Sequence, residues 1–431
     1  YTLSDSGRLS FYLGVAIDHD KEKGVSTLNQ ESYINTLLER FSMTDAHPVP
    51  TPSEPGTRLL KSMCPAVLNA EDTCKYQQLI GGLMYAAVLT RPDISFAVNQ
   101  CARFMSNPGP EHIAAAKRIL RYLKGSKSQK LTYTRQPVAT ANRLICYADS
   151  DHAGDPDTRR SVTGYVVLLN GAAVSWQSTR QQVTALSTAE AEYYAASVAG
   201  TDVTYMRRIM EDLGFKQEEP TVLWEDNMAC IYMSQTSVMY HKARHIDTRV
   251  YHLRELCKEG VLVLEKVASA DQVADSLTKS TPKPAFEKHR DAMLGVQPTL
   301  TNETESRPDI ADQVDEMEGI ELDAESFEDS VESGLSAFEV PKFKARRCAR
   351  GDTDSGLFLD PLGLRLILIC FILILGLYCR AREYDDDLDF RLGIHYARCM
   401  EWMRNAEFGD FHVLPPWERD IDQRDMQVEG A

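Results

Sequence analysis

Apolar and polar positions alternate most legibly from Leu144 onward. Leu144-Ile145-Cys146-Tyr147 is a short apolar run ending in Asp149 and Asp151, as a strand ends at a polar rim. Gly154-Asp155-Pro156-Asp157 reads as a turn. Residues 163–169 are rich in β-branched and aromatic side chains, Asn170-Gly171 is a strong two-residue hairpin signal, and residues 173–178 return. Three antiparallel strands are expected. Ser187-Thr188-Ala189-Glu190 matches a capping box, and an Ala-rich helical stretch follows to Leu213, where Gly214 ends it. Residues 221–224 form a further strand running into Glu225-Asp226-Asn227. A helical segment over 247–258, a strand over 261–267 and a short helix over 270–278 complete the series. The succession β-β-β-α-β-α-β-α predicts an α/β fold, a mixed sheet flanked by helices. Upstream, residues 111–124 have helical period. Ile113, Ala116, Leu120 and Leu123 share one face, and Lys117, Arg121 and Lys124 share another.

Composition changes this picture only once it is located. The chain has 431 residues, 43% hydrophobic, with a formal net charge of −16. That length fits about two or three domains. Ten cysteines without a Cys-x-x-Cys pair argue against a zinc ribbon or redox motif and fit a reducing compartment. The overall acidity argues against a nucleic-acid partner, but residues 1–300 hold 33 basic and 33 acidic residues. Residues 301–340 hold 14 acidic residues against Arg307 alone, and predict a disordered acidic linker. Between Cys101 and Arg143, nine basic residues face Glu111 alone. The row Lys117, Arg121, Lys124 could neutralise successive phosphates of a polynucleotide, a solvated helix face being the plain alternative.

Residues 366–379 are uncharged and mostly Leu and Ile; extending back to Leu362 includes Arg365. A bilayer needs about 20 apolar residues, so 362–380 is a candidate transmembrane helix at the lower limit of length. Basic residues before it would keep that side cytoplasmic. A short buried helix, or a tail translated from sequence not selected as protein, are the rivals. The chain starts at Tyr1 with no secretory signal, and a fragment of something longer is expected.

Acidic residues recur at element ends: Asp149, the pair Glu190 and Glu192, Asp226, and Asp275. Gathered carboxylates repel unless a cation neutralises them, and hard oxygen ligands select Mg²⁺ or Mn²⁺. Two such ions roughly 4 Å apart activate a water and stabilise both oxygens of a phosphodiester displacement. Helix-capping and surface acids give the same spacing without a metal. Glu190 and Glu192 point about 200° apart on a helix, so one alone can reach a shared ion. Asp151 and Asp155 are secondary candidates. His241 and His245 are four apart but lack the HExxH pattern of a zinc site. Asp5-Ser6-Gly7 lacks the apolar strands of an aspartic protease loop.

The segments YADSDHAGD (147–155), RRSVTGYV (159–166), SWQSTRQQVTALSTAEAEYYA (175–195), LWEDN (223–227), RHIDTRVYHLRE (244–255) and QVADSLTK (272–279) resemble, in order, the ribonuclease H domain of copia-type retrotransposon polyproteins. LSFYLGVAI (9–17), YQQLIGGLMYAAVLTRPDISFAVN (76–99) and RFMSNPGPEHIAAAKRILRYLKG (103–125) resemble the end of the same family's reverse transcriptase region.

The resemblance implies a ribonuclease H-like mixed five-stranded sheet over 141–296, preceded over 1–140 by the carboxy-terminal part of the reverse transcriptase, its palm end and a helical thumb and connection remnant. A linker (297–361), the apolar run (362–380) and an unassigned acidic tail (381–431) follow. It implies catalytic and metal-holding roles for Asp149, Glu192, Asp226 and Asp275, with two Mg²⁺ or Mn²⁺ ions. Lys117, Arg121 and Lys124 become nucleic-acid contacts and His245 an auxiliary residue. The implied reaction is hydrolysis of the RNA strand of an RNA–DNA hybrid during reverse transcription. The implied partners are that hybrid or a template–primer duplex, in a cytoplasmic or nuclear retroelement particle, with membrane association if 362–380 spans a bilayer. The polymerase's paired aspartates should precede Tyr1, so no polymerisation is expected of this chain. His152 stands where relatives usually carry tryptophan. The contrasting expectation is a non-catalytic, membrane-tethered nucleic-acid-binding remnant.

Overall fold

A computed structural model describes residues 10–65, 70–138, 140–235 and 244–296, with side chains described for all of these except 244–250. The linker, apolar run and tail lie outside the described residues. Among those described, no helix is long and apolar enough to cross a membrane.

The chain opens with a hairpin succession, β1 (Phe11–Tyr12), β2 (Val15–Asp20) and β3 (Val25–Asn29), followed by α1 (Glu31–Arg40). The helices α2 (Ala70–Leu89), α3 (Ser95–Ala102) and α4 (Pro110–Gly125) come next, and β4 (Leu131–Thr134) returns antiparallel to β3. These strands make a four-stranded sheet in the order β1-β2-β3-β4. The upstream region holds a sheet beside its helices, built by alternation such as that of Val15 and Ile17, buried on either side of exposed Ala16.

The second sheet follows the predicted order closely. β5 (Leu144–Asp151), β6 (Val162–Leu169) and β7 (Ala172–Arg180) are antiparallel neighbours, and α5 (Thr188–Asp212) crosses the sheet. β8 (Thr221–Glu225), α6 (Met228–Gln235), α7 (Arg244–Lys258) and β9 (Leu262–Lys266) come next. α8 (Asp275–Thr278) and α9 (Lys283–Leu294) complete the described fold. β5 pairs parallel with β8, and β8 with β9, giving the order β7-β6-β5-β8-β9. This is a mixed five-stranded sheet flanked by helices, as the ribonuclease H resemblance implies. The Asn170-Gly171 turn has φ of 51° and 93°, the two positive values that a type I′ hairpin demands. Three details depart from expectation. α6 and α9 were not foreseen, and the helix expected over 270–278 is a single turn at α8 preceded by a 3₁₀ turn at Ser269–Asp271.

The two sheets do not have separate cores. Val15, Ile17, Leu28, Leu131 and Tyr133 of the small sheet pack in one cluster with residues of β5, β6, β7 and α5. Phe286 of α9 packs with α1, α2, α3 and α4 in a second cluster. Tyr133 Oη donates to Ala173 O at 2.7 Å, and Trp176 Nε1 donates to Ala87 O at 2.9 Å. Each fully buried aliphatic side chain contributes about 1.5–3 kcal/mol, so a seam of this kind is a large fraction of a domain's stability.

Candidate active site

β5 and β8 run parallel with Tyr147 opposite Trp224, so their carboxyl ends finish side by side. In α/β sheets that edge is where ligands bind. Asp149 sits near the end of β5 and is buried; Asp226 is the first residue after β8. Gln272 closes the gap between the strands, its amide donating to Ala148 O (2.8 Å) and Trp224 O (3.3 Å). α5 supplies the third acid. Ser187 caps it, accepting from the Glu190 N–H at 3.2 Å, while Glu190 Oε2 accepts from the Leu186 N–H at 2.8 Å. Glu190 is thereby occupied in holding the helix start. Glu192 turns the other way into the protein, 4% exposed. Buried Gln181 fixes the helix start to the sheet, donating to Ser150 Oγ, Thr163 Oγ1 and Ala191 O. The result is that one carboxylate oxygen each from Asp149, Glu192 and Asp226 lie within 4.8 Å of one another.

Asp275 approaches from α8. Gly164, paired with Asp149 across β5 and β6, makes this possible: a Cβ there would stand 2.6 Å from Thr278 Cγ2. Thr278 Oγ1 donates to Asp149 Oδ2. Asp275 remains outside the group of three and lies in an ion pair with Lys279, Nζ to Oδ1 2.8 Å. Two further groups belong to the site that sequence reasoning did not single out. Lys279 could have been found, because it lies four residues after Asp275 on a helix-like turn. Glu225, fully buried beside Asp226, reads in the sequence as an ordinary strand residue.

Burial and mutual repulsion govern the charges here. Asp149 is pushed up to about 7, by burial first and then by the charge of Asp275, against the opposing pull of Lys279 and Thr278. Burial also raises Glu192, Glu225 and Asp275, with Asp149 adding to the first two. Burial works to lower Lys279, but Asp149 and Asp275 outweigh it and the ammonium is held more firmly charged. The oxygens Glu192 Oε2 and Glu225 Oε2 are buried without a hydrogen-bond donor. Orphaned acceptors of this kind carry a desolvation cost that a cation would remove. A donor set made only of carboxylates suits a hard divalent ion.

The remaining predicted residues are placed as follows. Asp151 ends β5, partly exposed at the rim. Asp155 is turned away from the carboxylates and buried against Arg103 and Arg180, which with Thr158 hold it below the usual carboxylate range despite its burial. It joins the upstream helices to the large sheet. His152 Nε2 lies 3.3 Å from Ala185 O. Lys117 is exposed on α4, but its row is not free for phosphates along its length. Arg121 Nε donates to His47 O at 2.7 Å and Lys124 Nζ to Ala46 O at 2.9 Å, binding the preceding loop. The backbone of His245 is in α7; its side chain, and all of His241, lie outside the described residues.

No protein-family model matches the chain. It is 39% identical over 291 residues to the retrovirus-related Pol polyprotein from transposon TNT 1-94 of Nicotiana tabacum, covering 67% of this chain and 22% of that protein. It is 33% identical over 290 residues to the retrovirus-related Pol polyprotein from transposon RE1 of Arabidopsis thaliana, covering 67% and 19%. The chain thus spans about a fifth of the length of these curated relatives. Among solved structures, RNase H1 from the halophilic archaeon Halobacterium salinarum NRC-1 matches at 20% identity and a TM-score of 0.24, covering 32% of this chain and 94% of that one.

Proposed function

The chain belongs to the copia-type retrotransposon Pol polyprotein family, and from that premise we propose that residues 141–296 act as a divalent-cation-dependent ribonuclease H on RNA–DNA hybrids. The observation that carries this reading is the meeting of Asp149, Glu192 and Asp226 within 4.8 Å at the carboxyl edge of the sheet. Asp149, Glu192, Asp226 and Asp275 would hold Mg²⁺ or Mn²⁺. Bound there, a pair of ions would supply water activation and charge stabilisation for phosphodiester hydrolysis, which would leave a 3′-hydroxyl and a 5′-phosphate.

The protein's own part is preorganisation. Thr278 fixes the rotamer of Asp149, the α5 cap and Gln181 fix Glu192, and Gln272 fixes the distance between the strand ends that carry Asp149 and Asp226. In this reading residues 10–140 are the end of the reverse transcriptase region. Exposed Lys117 is the member of the basic row best placed for backbone phosphates, and hybrid selection rests on 2′-hydroxyl contacts to the RNA strand.

Incubating the full chain with a labelled hybrid and Mg²⁺ tests the assignment. Cleavage of the RNA strand is expected, with Asp149→Asn and Asp226→Asn each slowing it roughly 100-fold or more. Unchanged rates in both variants, or salt-sensitive hybrid binding without any cleavage by the parent chain, would sink it.

A further inference from the structure

Lys279 is a charged side chain for which the proposed chemistry has no use. It stands at the end of α8, where its N–H donates to Asp275 O at 3.0 Å, and its side chain folds back over the same residue. Its Nζ is 2.8 Å from Asp275 Oδ1, and this ion pair holds the side chain over the site. The side chain is 46% exposed, whereas Asp275 is 14% exposed. Its positive charge also reaches Asp149, Glu192 and Asp151. One ammonium on a flexible stem therefore leans into the carboxylate cluster from its solvent side.

We infer that Lys279 is the built-in counter-cation of this site, resting against Asp275 until a divalent ion takes that carboxylate. The inference rests on the reading of these carboxylates as a cation site, but not on any reaction there. A divalent ion brings twice the charge to the same oxygens and removes the reason for the ammonium to stay. The four-carbon stem then leaves Nζ at the exposed rim, where a backbone phosphate of a bound nucleic acid would meet it. Lys279 so reduces repulsion in the metal-free protein and competes with the metal for one ligand.

Calorimetric titration of the full chain with Mg²⁺ alone, without nucleic acid, tests this. Lys279→Met should bind Mg²⁺ about three- to tenfold more tightly than the parent chain, because the competitor is gone. Lys279→Arg should stay near the parent affinity. Lys279→Met should also melt earlier in EDTA and regain most of that loss at saturating Mg²⁺. Unchanged or weaker Mg²⁺ affinity, or equal loss of melting temperature with and without Mg²⁺, would identify a structural pin and overturn the inference. If the variant does not fold, the parent chain still decides: the ¹⁵N signal of the Lys279 ammonium should be protected in EDTA and lost on adding Mg²⁺, and a signal indifferent to Mg²⁺ overturns it. Failure of hybrid cleavage with these results intact would count against the proposed function alone.

Discussion

Asp149, Glu192 and Glu225 are carboxylic acids withdrawn from water beside one another, and each is easier to keep protonated in the folded chain than in the unfolded one. Stabilisation from these raised groups is complete below the ordinary carboxylate range, about pH 4, and is lost as pH rises through the folded value of about 7 for Asp149. Denaturant unfolding in EDTA should therefore show stability falling between pH 5 and pH 8, by on the order of 3 kcal/mol, with Mg²⁺ flattening the slope. A flat profile in EDTA would mean that these acids ionise without cost. Much of the site was readable at this scale. Asp149 and Asp226 end apolar runs, and the two glutamates of the α5 start separate by helix geometry into a cap and an inward-facing acid. Glu225 was not singled out, although β8 alternation puts it on the buried face with Thr221 and Leu223, because a buried acid at a strand position has no signal of its own in the sequence. The bonds of Arg121 and Lys124 to the preceding loop were not readable for a related reason: helix periodicity shows which side chains share a face, not which loop lies over it.

Single elements reach the site only because neighbours admit them. α8 is one turn long and could not persist alone; it is held by its packing on β6 and by Thr278 on Asp149. Gly164 and Gly171 differ instructively here. Gly164 has no positive φ but lies against Thr278 and Leu277, while Gly171 has φ of 93° and nothing nearer its missing Cβ than Gln136 Nε2 at 3.6 Å. Gly164→Ala should cost about 1–3 kcal/mol through overpacking and also slow hybrid cleavage, since Thr278 and Asp275 must shift. Gly171→Ala should cost about 1–2 kcal/mol from backbone strain and leave the rate intact. Denaturant midpoints read beside cleavage rates separate the two; loss of activity in both would contradict this division. The same dependence on neighbours explains what sequence missed. α6, MACIYMSQ, has apolar residues all round and no helical stripe to detect. The strands and α5, with strong turn and cap residues, announced themselves locally.

Across the whole molecule, the boundary expected at residue 140 separates sequence resemblances but not cores. β2, β3 and β4 give Val15, Ile17, Leu28, Leu131 and Tyr133 to the cluster under the large sheet, and α9 gives Phe286 back to the upstream helices. An excised 141–296 fragment should melt at least about 10 °C below a 1–296 fragment, several buried aliphatic contacts being worth that much. Equal melting temperatures, read by circular dichroism, would show independent domains. Sequence could not disclose this seam, since strands that serve one sheet's core and a neighbouring sheet's core carry the same alternation.

The Asp155 clamp gives the seam a further meaning. Arg103, just beyond α3, and Arg180, at the end of β7, grip one buried carboxylate from either side of the connection between β4 and β5. A protease cutting the connection between β4 and β5 would sever one peptide bond and leave this clamp, Tyr133 on Ala173 and Trp176 on Ala87 untouched. The nicked halves would stay together as a two-chain particle, so polypeptide processing at this point would alter covalent continuity without releasing residues 141–296 as a separate body.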